Sequence, residues 1–206
     1  MSWSYWFVLV CCGLCLIGCL FHVIRLIRLG RPLDYSPPAG PVAPSVIYSF
    51  TGAMHPLRKE SAFLHLPTYT AGIVYHLGTF LSIPIFFTFL AQIDLPMFIL
   101  YTSSATLTFS VISGTTILFK RFLKKGLREL SNPDDYLSNL LVTLFQAMTA
   151  LTCFISQLIP VYFVITGILL LYIPIGKLRH AIYFFSSRYH LGFFFGWRGV
   201  WPPKQI

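Results

Sequence analysis

Acidic side chains are scarce in this chain: six Asp and Glu stand against fifteen Lys and Arg in 206 residues, and none of the six lies inside a long apolar stretch. A transporter coupled to protons or cations needs an ionisable group at membrane depth, and neither a buried carboxylate, an inverted repeat nor a broken-helix pair is visible, which argues against transport. Positive charge is also missing ahead of the first apolar stretch, in Met1-Ser2-Trp3-Ser4-Tyr5-Trp6, while Arg25 and Arg28 follow it. A cleaved signal peptide has the reverse order, so this stretch is expected to be an anchor. Cysteine clusters suited to an iron–sulfur centre are absent too. Cys11, Cys12, Cys15, Cys19 and Cys153 all fall in apolar stretches. Cys12-x-x-Cys15 lacks both the following His of a c-type haem site and the charged surroundings of a reactive thiol, so the five read as small packing residues. No soluble domain is left over to read nucleic acid, and the basic charge is explained by topology and lipid headgroups.

What the chain does have is apolar length. It is 56% hydrophobic and 10% charged, with a mean hydropathy of +0.73. That leaves too little polar surface to cover a water-soluble globule, and the expected class is an all-α integral membrane protein. Stretches near residues 5–27, 69–92, 95–119, 136–157 and 160–184 are each long enough to cross a hydrocarbon core of about 30 Å. A single membrane domain over 1–206 follows, a bundle of five transmembrane helices. All fifteen basic residues fall on one side of it: Arg25 to Lys59 after the first span, Lys120 to Arg128 after the third, and Lys177 to Lys204 at the end. Basic flanks stay in the cytoplasm, which puts the N-terminus in the periplasm and the C-terminus in the cytoplasm.

The cytoplasmic segments at 28–68, 120–135 and 185–206 then carry what polar surface there is. The first is rich in Pro and Gly around Pro37-Pro38-Ala39-Gly40-Pro41 and shows no helical or strand period, which predicts an irregular loop or docking surface. The tail interleaves Tyr183, Phe184, Phe185, Tyr189, Phe193, Phe194, Phe195 and Trp197 with Arg188 and Arg198. That composition suits either a membrane interface or a protein contact. Arg58, Lys59, Arg121, Lys124 and Lys125 could steer an acidic partner, and lipid contact explains any one of them equally well.

Two histidines stand out within apolar spans near their basic ends, His76 and His180. An ionisable side chain there is costly enough to need a partner, and imidazole is the common axial ligand of b-type haem iron. Counted from the outer ends of their spans at 1.5 Å per residue, His76 lies about 24 Å deep and His180 about 30 Å. His22 lies at about 24 to 26 Å on the first span, so depth does not choose between His22 and His180 as the partner of His76. His65 sits at the mouth of the second span, suited to a structural or propionate-side role. His55 and His190 fall outside the spans. Lys177 and Arg179 are cations of the kind that haem propionates need, and positive-inside anchoring also accounts for them.

These residues and their order resemble a family: the gamma-type cytochrome b membrane subunit of respiratory nitrate reductase and its relatives in heterodisulfide-reductase-linked complexes of sulfate reducers. Tyr75-His76-Leu77-Gly78 is similar to that family's Phe-His-Ile-Gly motif on the second span. Pro174-Ile175-Gly176-Lys177-Leu178-Arg179-His180 is similar to its Pro-x-Ser-x-x-x-His motif closing the fifth. Asp135-Tyr136-Leu137-Ser138-Asn139-Leu140-Leu141, opening the fourth, is a weaker match. The resemblance implies haem iron held by His76 and His180 near the cytoplasm, with Lys177 and Arg179 in the binding site. The family's second, outer haem would take its ligands at Phe86 and Tyr162, neither of which is His, so one haem b is implied. Electron transfer inside a larger complex is then expected, with no catalytic residue of the chain's own and a quinone as a further candidate ligand. The implied partners are a cytoplasmic heterodisulfide-reductase-type iron–sulfur subunit, other membrane subunits and a periplasmic multihaem cytochrome c, in a bacterial inner membrane. A haem-free membrane anchor is the alternative from another class.

Overall fold

Where few charges interrupt long runs of Leu, Ile, Phe and Val, the backbone must satisfy its own hydrogen bonds, and the helix does so within one segment. A computed structural model describes residues 2–30, 34–58 and 64–203, and among these it is helical with no strand. Arg31, Lys59 and Lys204 of the basic set lie outside the described residues. The helices are α1 (Trp3–Arg28), α2 (Val42–Phe50), α3 (Leu66–Leu90), α4 (Met97–Leu123), α5 (Lys125–Glu129), α6 (Pro133–Thr152), α7 (Ile159–Tyr172) and α8 (His180–Trp197).

Three of them, α1, α3 and α4, are long and apolar enough to cross a membrane, and α7 with α8 makes a fourth if the broken pair counts as one span. Burial has the polarity of a membrane protein. Ser82, Ser103, Ser110, Thr143, Gln146 and Thr149 are buried, while Leu16, Ile17, Phe80, Phe98 and Phe109 are more than half exposed. Small and hydroxylated residues let helix backbones approach and hydrogen-bond where hydrocarbon offers no other partner.

Two departures from the sequence expectations have local causes. The stretch 160–184 is not one helix: α7 stops at Tyr172 and α8 starts at His180. Pro174 has no N–H to give to the preceding turn, and the N–H groups of Ile175 and Gly176 both fold back on the Tyr172 carbonyl, at 3.2 and 2.8 Å. A broken pair of apolar helices therefore exists, although none was visible in the sequence. The stretch 136–157 forms α6, twenty residues long, but Asp134, Asp135, Asn139, Gln146 and several hydroxyls keep it outside the set of spanning helices.

The chain divides into two compact units, Met1–Gly18 with Pro67–Leu178, and Cys19–Leu66 with Arg179–Ile206. In the first, α4 packs on α6 and α6 on α7, around a core of Val8, Phe86, Val142, Phe145, Tyr162, Phe163 and Leu169. In the second, the stretch expected to be an irregular loop contains α2, packed along α8. At Gly192 a Cβ would stand 2.5 Å from the Val46 Cα, so only glycine permits this approach. Ser45 donates to the Pro41 carbonyl at 2.8 Å and also to that of Trp201, and Ser49 to those of Val46 and Arg188 at 2.8 Å. Loop and tail are thus one folded element pair, pinned further by the Arg198–Asp34 ion pair at 2.8 Å.

Candidate functional site

Gln146, on α6, is the largest polar side chain buried completely among the described residues apart from Tyr162. Its Nε2 donates to the Tyr75 carbonyl at 3.0 Å and to Thr79 Oγ1 at 2.7 Å, and its Oε1 accepts from Ser110 Oγ at 2.6 Å. One amide thereby joins α3, α4 and α6. Around it the helices touch through glycines: Gly78 leaves no room for a side chain against Ser110, nor Gly114 against the Tyr75 ring. Tyr75 Oη donates to the Asn139 carbonyl at 2.9 Å and lies 3.0 Å from Thr143 Oγ1.

The residue after this clamp is His76. A step of about 100° round the helix carries it from the packed face to an exposed one. Its Nδ1 lies 2.7 Å from the Gly72 carbonyl oxygen. A carbonyl only accepts, so Nδ1 carries the proton and Nε2 the lone pair, the tautomer that an iron-ligating imidazole requires. No described group comes within 4 Å of a Cβ built on Gly72, so the helix face one turn before His76 is open. In donor chemistry His76 fits an axial ligand, and the helix face beside it is open.

His180 is the first residue of α8, exposed, directly after the Lys177–Arg179 turn. It belongs to the second unit and His76 to the first. It stands past the break and not inside a continuous span. Lys177 is bonded to Asp135, a carboxylate only 6% exposed, whose other cation is Arg121 at 3.5 Å. The Lys177 hydrogen bond, followed by the Asn132 backbone bond and the charges of Lys177 and Arg121, holds the Asp135 carboxyl below the ordinary carboxylate range against the effect of burial. Arg179 is exposed in the turn. His22, half-buried on α1, has Nδ1 2.9 Å from Tyr183 Oη. His55 and His65 are exposed outside the apolar helices, and His190, expected outside the spans, is exposed within α8.

Phe86 and Tyr162, the positions implied for outer haem ligands, are packed into the core. Their ring centroids are 6.2 Å apart, and Phe145 stacks on Tyr162 at 6.0 Å with planes 6° apart. Tyr162 is fully buried, with its Oη 3.2 Å from Thr149 Oγ1. Rings fill the space between these two residues. Toward the ends of the same helices a hollow of about 450 Å³ opens, lined among others by Tyr5, Phe89, Asp94, Thr152 and Phe163. Among the described residues no three His, Cys, Asp or Glu side chains converge, and a bis-imidazole haem needs only two such groups.

The chain matches no protein-family model, no curated protein and no solved structure.

Gln146 was not singled out in the sequence, and Asp135 stood there only as the first residue of a weak motif match. Gln146 is an amide in an otherwise apolar stretch, and the cost of leaving it unpaired there was the signal that could have marked it. Asp135 stands three residues after Asn132, with Pro133 directly following the cap, the pattern of a capped helix start, and forms the reciprocal capping bonds with Asn132 at 3.0 Å each.

Proposed function

We propose that this chain is a haem b-carrying membrane subunit of a respiratory redox complex. His76 and His180 supply the axial imidazoles, with His22 as the alternative ligand, and Lys177 and Arg179 lie on the propionate side. Haem b, when bound, supplies one-electron chemistry at a potential tuned by its ligands and their hydrogen bonds. The chain's own work is to hold the ligand ring in one tautomer, to keep the metal site apolar and to present a basic face. In this reading five segments cross a bacterial inner membrane with the N-terminus outside. The cytoplasmic surface then meets an iron–sulfur subunit of the heterodisulfide-reductase type, with other membrane subunits and a periplasmic multihaem cytochrome c completing the assembly. Its narrowest form is a place like that of the E subunit in the Hmc transmembrane complex of sulfate-reducing bacteria.

The observation that carries the proposal is the Nδ1 bond of His76 to Gly72 on an exposed face of an apolar helix. A histidine serving only to join helices would be expected to spend its nitrogens on a neighbour, as His22 does on Tyr183. The opposing observation is that Lys177 is already paired with Asp135, which favours a haem-free anchor. Reduced-minus-oxidised spectra of the parent chain and of the His76→Ala and His180→Ala variants decide between them. Loss of the b-type spectrum in both variants supports the assignment, and normal haem in either refutes it. A colourless parent identifies the anchor, and reduction of the haem by a menaquinol analogue adds a quinone-interacting role.

A further inference from the structure

An α-helix that is apolar all round has no preferred rotation against lipid or against other apolar helices, because hydrocarbon is as good a neighbour for Leu as another Leu. α3 is such a helix over most of its length: Ile73, Leu77, Phe80, Ile83 and Phe87 all face outward. Its rotation must be set by directional contacts. Of those described, one lies near the helix start, where Lys120 donates to Thr68, and the rest cluster from Val74 to Thr79, where Gln146 Nε2 bonds the Tyr75 carbonyl and Thr79 Oγ1, and Thr79 Oγ1 in turn donates to the Tyr75 carbonyl at 2.9 Å. Ser110 fixes the other end of the Gln146 amide at 2.6 Å. Because the carbonyl of Gln146 is spent on Ser110, its amide nitrogen is oriented toward α3 and not flipped away from it.

We infer that Gln146, oriented by Ser110, is the positioning residue that aims His76. The inference rests on the haem reading above, and it adds a residue about seventy positions away on another helix that touches neither the imidazole nor the iron. The clamp grips the backbone carbonyl adjacent to His76 and the side chain three residues beyond it. A small rotation of α3 about its axis swings the imidazole directly, while the local Gly72 bond moves with the helix and cannot resist it. The Tyr75 hydroxyl, bonded to the Asn139 carbonyl, adds a second tie between α3 and α6.

The test separates aiming from mere helix packing by reading the haem itself. Gln146→Met keeps the length of the side chain and removes every hydrogen bond. It is expected to retain haem while shifting the largest g value of the low-spin electron paramagnetic resonance spectrum, which follows the relative orientation of the axial imidazole planes, and the midpoint potential with it. Gln146→Glu, protonated in this apolar site, keeps the acceptor for Ser110 and one donor toward α3, and should return both signals toward those of the parent. If Gln146→Met fails to accumulate, Ser110→Ala frees the amide to rotate and is read by the same two signals, with a smaller shift in the same direction. Parent-like g values and potential in the variant that carries the test overturn the positioning role and leave the haem assignment standing. A parent chain that purifies without haem overturns that assignment, and the aiming role falls with it.

Discussion

Asp135 answers three demands with one carboxylate: Oδ2 closes the capping box on the Asn132 N–H, while Oδ1 meets Lys177 and Arg121. Losing the charge leaves two cations with a neutral partner, and Asp135→Asn should destabilise the start of α6 by about 1–3 kcal/mol, discounted from a fully buried pair because both cations are partly exposed. The pH dependence has a definite sign. The folded carboxyl titrates below its ordinary value, so its stabilisation is complete above the unfolded value of about 3.9 and is lost as pH falls through the lower folded one. Thermal unfolding in detergent from pH 6 downward should show this loss in the parent, and a flatter profile in Asp135→Asn. At this scale the sequence was legible where chemistry is local. His76 stood out because a lone imidazole in an apolar run is costly wherever the chain goes. Gln146 carried the same signal, but its partners Tyr75 and Ser110 lie 71 and 36 positions away, and no spacing rule joins them.

Among the elements, α2 shows why a helix can be invisible in a sequence. Nine residues with Pro44 in the first turn give less than three turns of period, and so short a helix is marginal without a partner. Its partner is α8, through Gly192 and Gly196, whose meaning appears only once the two segments lie side by side. Gly192→Leu should force them apart, at about 1–3 kcal/mol for the overpacked contact. Faster proteolysis between residues 34 and 58, with the far-ultraviolet helical signal nearly intact, is the expected result; unchanged cleavage would show that the contact is dispensable. The break after Tyr172 went unread, because continuous hydropathy on both sides concealed the Pro174-Ile175-Gly176 interruption.

For the whole molecule, composition alone was enough to give an all-helical chain with spanning helices, because so little charge and so much apolar length admit few other solutions. The number of spans was less legible. α6 buries its polar face against α4, so its mean hydropathy understates how well it can sit among other helices. The core claim made of this chain is a single haem, with the second position filled by Phe86, Phe145 and Tyr162. The measurement that bears on it most directly is a pyridine haemochrome count on the purified full-length chain. One haem b per chain is the result the account predicts. Two would contradict the filled aromatic core as the reason for a missing outer site, and none would contradict the haem assignment itself.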